Sequence, residues 1–173
     1  FDAGVVTTEM VWNNFRTIQD SAGGMDGWEP LDLKLFSWQM CGWTAALYRL
    51  IEQGAEWPAS TRHAKISYLE KPDSTPGEVS SYRPLTIMAV LYRRWASMSL
   101  QSLEGWVRCW ALPEMFAGVA MQGATDATYQ VLAEVELMTL EGVPYCGGAA
   151  DIYKFFDQVL RGLVVEVLRL AGM

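Results

Sequence analysis

Apolar residues recur every three or four positions along much of the chain, and the rhythm changes to alternation within Ala64 to Leu69. Val11, Phe15 and Ile18 predict a short helix over residues 8 to 19, broken by Gly23-Gly24-Met25-Asp26-Gly27. A second helix is expected from about 31 to 53, interrupted near Gly42, with Leu47, Leu50 and Ile51 on one side, Gly54 as its stop and Pro58 closing the segment. Ile66 and Tyr68 alternate with Lys65 and Ser67, which is strand periodicity. The run Pro72-Asp73-Ser74-Thr75-Pro76-Gly77 is turn chemistry, so Tyr82 to Ile87 can supply the returning strand of a hairpin. Such a hairpin puts Lys71 and Arg83 near opposite ends of one loop, where both cations could converge on one anion.

Met88, Leu91, Trp95 and Met98 form a buried stripe on a further helix whose other side carries Arg93 and Arg94. Another helix runs from about Asp126, a plausible N-cap, through Leu132, Val135 and Met138 to Gly142. Gly147-Gly148-Ala149-Ala150 then leads into Asp151, the expected end of a strand. A last helix turns Phe156, Leu160, Leu163, Val164, Val167 and Leu168 inward and stops at Gly172. Helices interleaved with a small antiparallel β component make the fold class α+β, with helix dominant.

Of 173 residues, 51% are hydrophobic and 19% charged, enough to bury a core in one compact unit. The net charge of −7 argues against nucleic-acid binding by the chain as a whole, because phosphate is neutralised by Lys and Arg. The charge is uneven, however. From Arg62 to Arg94 there are six cations (Arg62, Lys65, Lys71, Arg83, Arg93 and Arg94) against three acids, Glu70, Asp73 and Glu78. Cys41, Cys109 and Cys146 are odd in number and far apart, with His63 as sole imidazole, so neither a zinc site nor a disulfide framework follows. That usage fits an intracellular protein, nuclear or cytoplasmic and not secreted. No apolar run reaches the roughly 18 residues that span a bilayer. Phe1 opens the chain without an initiating Met, and the sequence reads as a piece of something longer. Eight tryptophans could stack on bases, but Trp43, Trp95, Trp106 and Trp110 fall in helical apolar patterns and are expected in the core.

The densest chemistry lies in Ala150-Asp151-Ile152-Tyr153-Lys154-Phe155-Phe156-Asp157. A carboxylate at a strand end, followed by the positive N-terminus of a helix, can hold a divalent metal next to phosphate oxygens. Taken singly, Asp151 reads as an N-cap, Phe156 as the first core residue of the helix, and Asp157 as an acid that complements its dipole. Lys71 and Arg83 read singly as surface cations. Together, twelve residues apart and flanking a turn, they suit phosphate, Arg as a planar fork and Lys as a mobile point charge.

Read together, Tyr68-Leu69-Glu70-Lys71-Pro72, Tyr82-Arg83-Pro84-Leu85-Thr86 and the segment at Asp151 resemble reverse transcriptases of non-LTR retrotransposons. Ala22 to Trp28 is similar to that family's Gly-x-Asp-Gly turn, Gln53-Gly54 to Pro58 and Lys65 to Lys71 to its next block, and Gln122-Gly123-Ala124-Thr125-Asp126-Ala127 to the segment before its palm helix. The resemblance implies the fingers and first palm motif of a right-hand polymerase fold, with fingers over about 1–125 and the start of the palm over about 126–173. It implies an RNA-directed DNA polymerase that takes an RNA template, a DNA primer and deoxynucleoside triphosphates, with Mg²⁺ or Mn²⁺. Asp151 would be the catalytic carboxylate and metal ligand and Ile152 would lend its carbonyl to the metal. Phe156 would exclude a 2′-hydroxyl, and Lys71 with Arg83 would meet the triphosphate or the template backbone.

The chain departs from the family at Tyr153 and Phe155, where an acid and a small residue are usual, and near Gln122-Gly123, where basic residues are usual. The family's second metal motif, an aromatic-x-Asp-Asp, does not occur within it. The isolated chain is therefore expected to be inactive and to depend on the remaining palm and thumb of a parent polypeptide. The alternative is a non-catalytic remnant, or a domesticated module that binds nucleic acid or protein.

Overall fold

The computed structural model describes residues 4–72, 75, 77–152 and 158–172. They divide into two compact units, one built from residues 4–103 and one from the described residues after 103.

In the first unit, α1 (Thr8–Arg16) starts where the Thr7 hydroxyl accepts from Met10 N–H at 3.2 Å. Val11 and Phe15 are fully buried on its inner face and Ile18 follows after its end, as their spacing predicts. The expected single helix from 31 to 53 is instead a 3-10 segment, Pro30–Leu35, and α2, Trp38–Glu52. The break falls at Phe36 and Ser37 rather than near Gly42. Phe36 is extended, and the Ser37 hydroxyl accepts from Met40 N–H at 3.2 Å, a new N-cap. Gly42 passes through the helix, where even an added Cβ would make only ordinary contact with Thr8.

The buried face of α2 is Cys41, Thr44, Ala45 and Tyr48, whereas Leu50 is exposed and Leu47 and Ile51 are half-buried. Trp43, expected in the core, is 65% exposed. The sequence Trp38–Ile51 is apolar almost all round, so periodicity alone does not choose its inner face.

The hairpin forms as expected. Strand β1 (Lys65–Glu70) pairs antiparallel with β2 (Tyr82–Ile87), Lys65 opposite Ile87 and Glu70 opposite Tyr82. Pro84 is tolerated because both strands of a two-stranded sheet are edges. Helix α3 (Val90–Trp110) follows at once, with Val90 and Met98 buried and Leu91 and Trp95 packed against the core.

Arg93 and Arg94 do not lie on an open outer side. Both are half-buried, and Arg93 donates to Ser21 Oγ at 3.2 Å and to Ala22 O at 2.6 Å. That ties the glycine-rich loop to α3, and Asp26 Oδ2 accepts from Leu91 N–H at 3.4 Å in the same place. Backbone approaches backbone closely here. A Cβ on Gly24 would stand 2.7 Å from Ala89 Cα and 2.8 Å from Met88 O, whereas one on Gly23 would meet only the flexible Glu29 carboxylate. Gly24→Ala is therefore expected to cost about 1–3 kcal/mol in urea denaturation, as overpacking does. Gly23→Ala should cost much less, and equal losses would refute the close approach.

Tyr48 is fully buried and donates its hydroxyl to Leu91 O at 2.8 Å. Burial pushes that hydroxyl well above its ordinary value of 10, with Arg94 working against the shift. Above pH 10 the unfolded chain gives up this proton and the folded chain keeps it. Stability contributed by Tyr48 is thus fully present below pH 10 and falls by about 1.4 kcal/mol per pH unit above it. Denaturant midpoints compared at pH 9 and 11 should show the drop, and Tyr48→Phe should flatten it.

In the second unit, α4 (Ala124–Glu141) is preceded by Gly123 as N-cap. Asp126, expected at the cap, sits inside the first turn and reaches back to accept from Gly123 N–H at 2.8 Å. Gly142 closes the helix in the left-handed conformation, φ 68°. Residues 143–152 form neither helix nor strand, so the strand expected before Asp151 is absent; two glycines and two alanines give a ladder little to pack.

The last described helix, α5, is Arg161–Leu170. Leu160, Leu163, Val164 and Val167, expected inward, are exposed, Leu168 is half-buried, and α4 and α5 bury no residue. Periodicity marks a face that wants cover without supplying the cover. Trp106 is half-buried, donates to Ala171 O at 3.1 Å and meets Trp110 edge-on at 5.3 Å, while Trp110 is 47% exposed. No helix among the described residues is long and apolar enough to cross a membrane.

Candidate functional site

The register of the hairpin sorts its side chains by chemistry. Successive residues of a strand point to opposite faces, and cross-strand partners share a face. One face therefore carries Lys65, Ser67 and Leu69 opposite Ile87, Leu85 and Arg83; the other carries Ile66, Tyr68 and Glu70 opposite Thr86, Pro84 and Tyr82. The Lys71 N–H donates to Ser81 O at 2.8 Å, which extends the ladder by one step and places Lys71 on the first face.

Cations and carboxylate are thus separated. Lys65, Lys71 and Arg83 share one face, and Glu70 lies on the other with both tyrosines. Lys71 and Arg83 are diagonal neighbours at the loop end, a spacing of roughly 7–8 Å in ladder geometry and within reach of one anion. Arg83 and Lys65 are exposed. Lys71 is half-buried, and its ammonium donates to Ser80 O at 2.6 Å. Lys65, not singled out from the sequence, joins the other two by the same alternation that predicts the strand. Elsewhere in the basic span, Arg62 pairs with Glu56 at 2.9 Å and Arg93 is taken up by the glycine-rich loop.

Asp151 and Ile152 belong to the second unit and are exposed in the irregular stretch after α4. Phe156 lies outside the described residues, as do Tyr153, Phe155 and Asp157. A hard divalent cation such as Mg²⁺ takes about six oxygen ligands, of which Asp151 and the Ile152 carbonyl would supply two or three. Among the described residues no three His, Cys, Asp or Glu side chains gather to complete such a set. The described donors do not by themselves fit the ion.

The comparisons with known proteins agree with the polymerase resemblance at a coarse level. The chain is similar to the RNA-directed DNA polymerase from mobile element jockey of Drosophila melanogaster, 26% identical over 172 residues. The match covers 95% of this chain and 18% of that protein, so the chain spans less than a fifth of its relative's length. No protein-family model matches the chain, and no solved structure matches it.

Proposed function

We propose that this chain is part of a reverse-transcriptase-like RNA-directed DNA polymerase, its first unit serving as fingers, and that the cationic face of its hairpin meets phosphate. One observation carries the reading: Lys71 and Arg83, picked out by motif, fall on the same face of a hairpin, and Lys65 joins them there. Distant likeness to the jockey polymerase along nearly the whole chain supports it.

In this reading Arg83 forks onto phosphate oxygens, and Lys71 and Lys65 add mobile positive charge to the triphosphate or the template backbone. Asp151 is the carboxylate that would contribute to binding Mg²⁺ or Mn²⁺, beside the Ile152 carbonyl, and the ion would supply Lewis-acid chemistry to nucleotidyl transfer. Since two or three oxygens are too few, the rest of the set would come from further polypeptide. The chain alone is expected to bind nucleic acid without extending a primer. Phe156 would select the sugar by bulk. The test is RNA affinity measured across a salt series, with the three hairpin cations replaced by Ala.

A further inference from the structure

The second face of the hairpin has the opposite character and calls for a different partner. A cavity of about 370 Å³ opens beside it, lined by Tyr68, Gly77, Val79 and Tyr82. Tyr68 and Val79 are 66% and 89% exposed, so the apolar walls of the cavity are open to an incoming side chain. By register, Glu70 stands directly opposite Tyr82 and two residues from Tyr68 on this same face. Glu78 lies next to Val79 and adds a second carboxylate, which accepts from Ser80 Oγ at 3.3 Å. Neither strand places a Lys or Arg on this face, because Lys65 and Arg83 both point to the other.

We propose that this tyrosine-lined cavity is a docking site for a basic segment of a protein partner, one Arg or Lys side chain lying against Tyr68 and Tyr82 and pairing with Glu70. The aromatic faces attract a cation, and Glu70 gives it a charge-assisted hydrogen bond. A nucleic-acid strand suits this face poorly, since neither strand turns a Lys or Arg to it and Glu70 meets phosphate with a carboxylate. The hairpin would then be two-sided, phosphate on one face and a cationic peptide on the other. This inference does not depend on the polymerase reading.

The test is titration of the ¹³C-labelled chain with acetyl-Gly-Arg-Gly-amide, following the Tyr68 and Tyr82 ring resonances. Parallel titrations use the norleucine analogue and uridine 5′-monophosphate. The arginine peptide should shift both rings in a saturable way. Glu70→Gln, at an exposed position, should weaken it at least threefold, Val79→Lys should abolish it, and Arg83→Ala should leave it unchanged. Equal shifts with the norleucine peptide would reduce the site to a plain apolar patch and overturn the proposal. So would shifts of these rings by the nucleotide, or none with any probe. Loss of RNA binding in the hairpin-cation variant bears only on the other face, so the two readings fail separately.

Discussion

Phe15→Ala is expected to remove about 3–5 kcal/mol from the stability of the first unit, as truncation of buried aromatics does. Phe15 is fully buried and meets Phe36 edge-on at 5.6 Å, beside Val11, Cys41, Ala45 and Tyr48 in one cluster. Every buried hydrophobic residue described lies between Val6 and Met98, so this cluster is the core of the first unit and little stands behind it. Domains of this size have about 5–15 kcal/mol in total, so one such cavity is a large share. Leu140→Ala is the contrast, because Leu140 is 79% exposed on α4 and its truncation should cost less than about 0.5 kcal/mol. Urea denaturation followed by tryptophan fluorescence separates the two. Similar midpoints for Phe15→Ala and the unmodified chain would mean that the cluster is not the core.

The elements most legible in the sequence are those whose chemistry is local. The hairpin could be read to within a residue or so because alternation, a turn-forming run and a second extended stretch all agree on one register. Gly54, Gly142 and Gly172 follow the ends of α2, α4 and α5, each with positive φ. Where several faces of a helix are apolar, as on α2, the sequence does not say which turns inward: Trp43, expected in the core, is exposed, and so is Leu50. The Ser37 cap was available as a signal, since Ser followed by an apolar run is a helix start, but the long apolar stretch around it masked the break. In α5 the spacing is helical and the helix forms, yet Leu160, Leu163, Val164 and Val167, expected inward, are exposed. Burial depends on neighbours that periodicity cannot name.

The candidate site divides along the same line. Lys71 and Arg83 were legible because motif and hairpin reinforce one another, and Lys65 follows once the register is known. The basic span as a count of charges was misleading, since Arg93 and Arg94 are drawn into packing and burial pulls the Arg94 pKa below its usual value. The roles of Asp151, Ile152 and Phe156 rest on family resemblance, not on local geometry. No strand holds Asp151, and its function would require ligands from other residues.

Replacing Lys65, Lys71 and Arg83 together by Ala is expected to weaken single-stranded RNA binding roughly 100-fold at about 0.1 M salt, and to lower the slope of log affinity against log salt by about 2. Each cation that neutralises one phosphate of a single strand accounts for about 0.7 of that slope. The net charge of −7 does not cancel the effect, because at that salt a charge is screened beyond about 10 Å and the nearby face dominates. Removing Lys71 also removes its bond to Ser80 O, which could loosen the loop. The pair Lys65→Ala with Arg83→Ala, both exposed positions, avoids this and should still lower the slope by about 1.4. Glu70→Gln, on the opposite face, should leave the slope where it was. If the salt dependence of the triple variant equals that of the unmodified chain, the hairpin does not meet phosphate, and the motif positions on which the polymerase reading depends are ordinary surface charges.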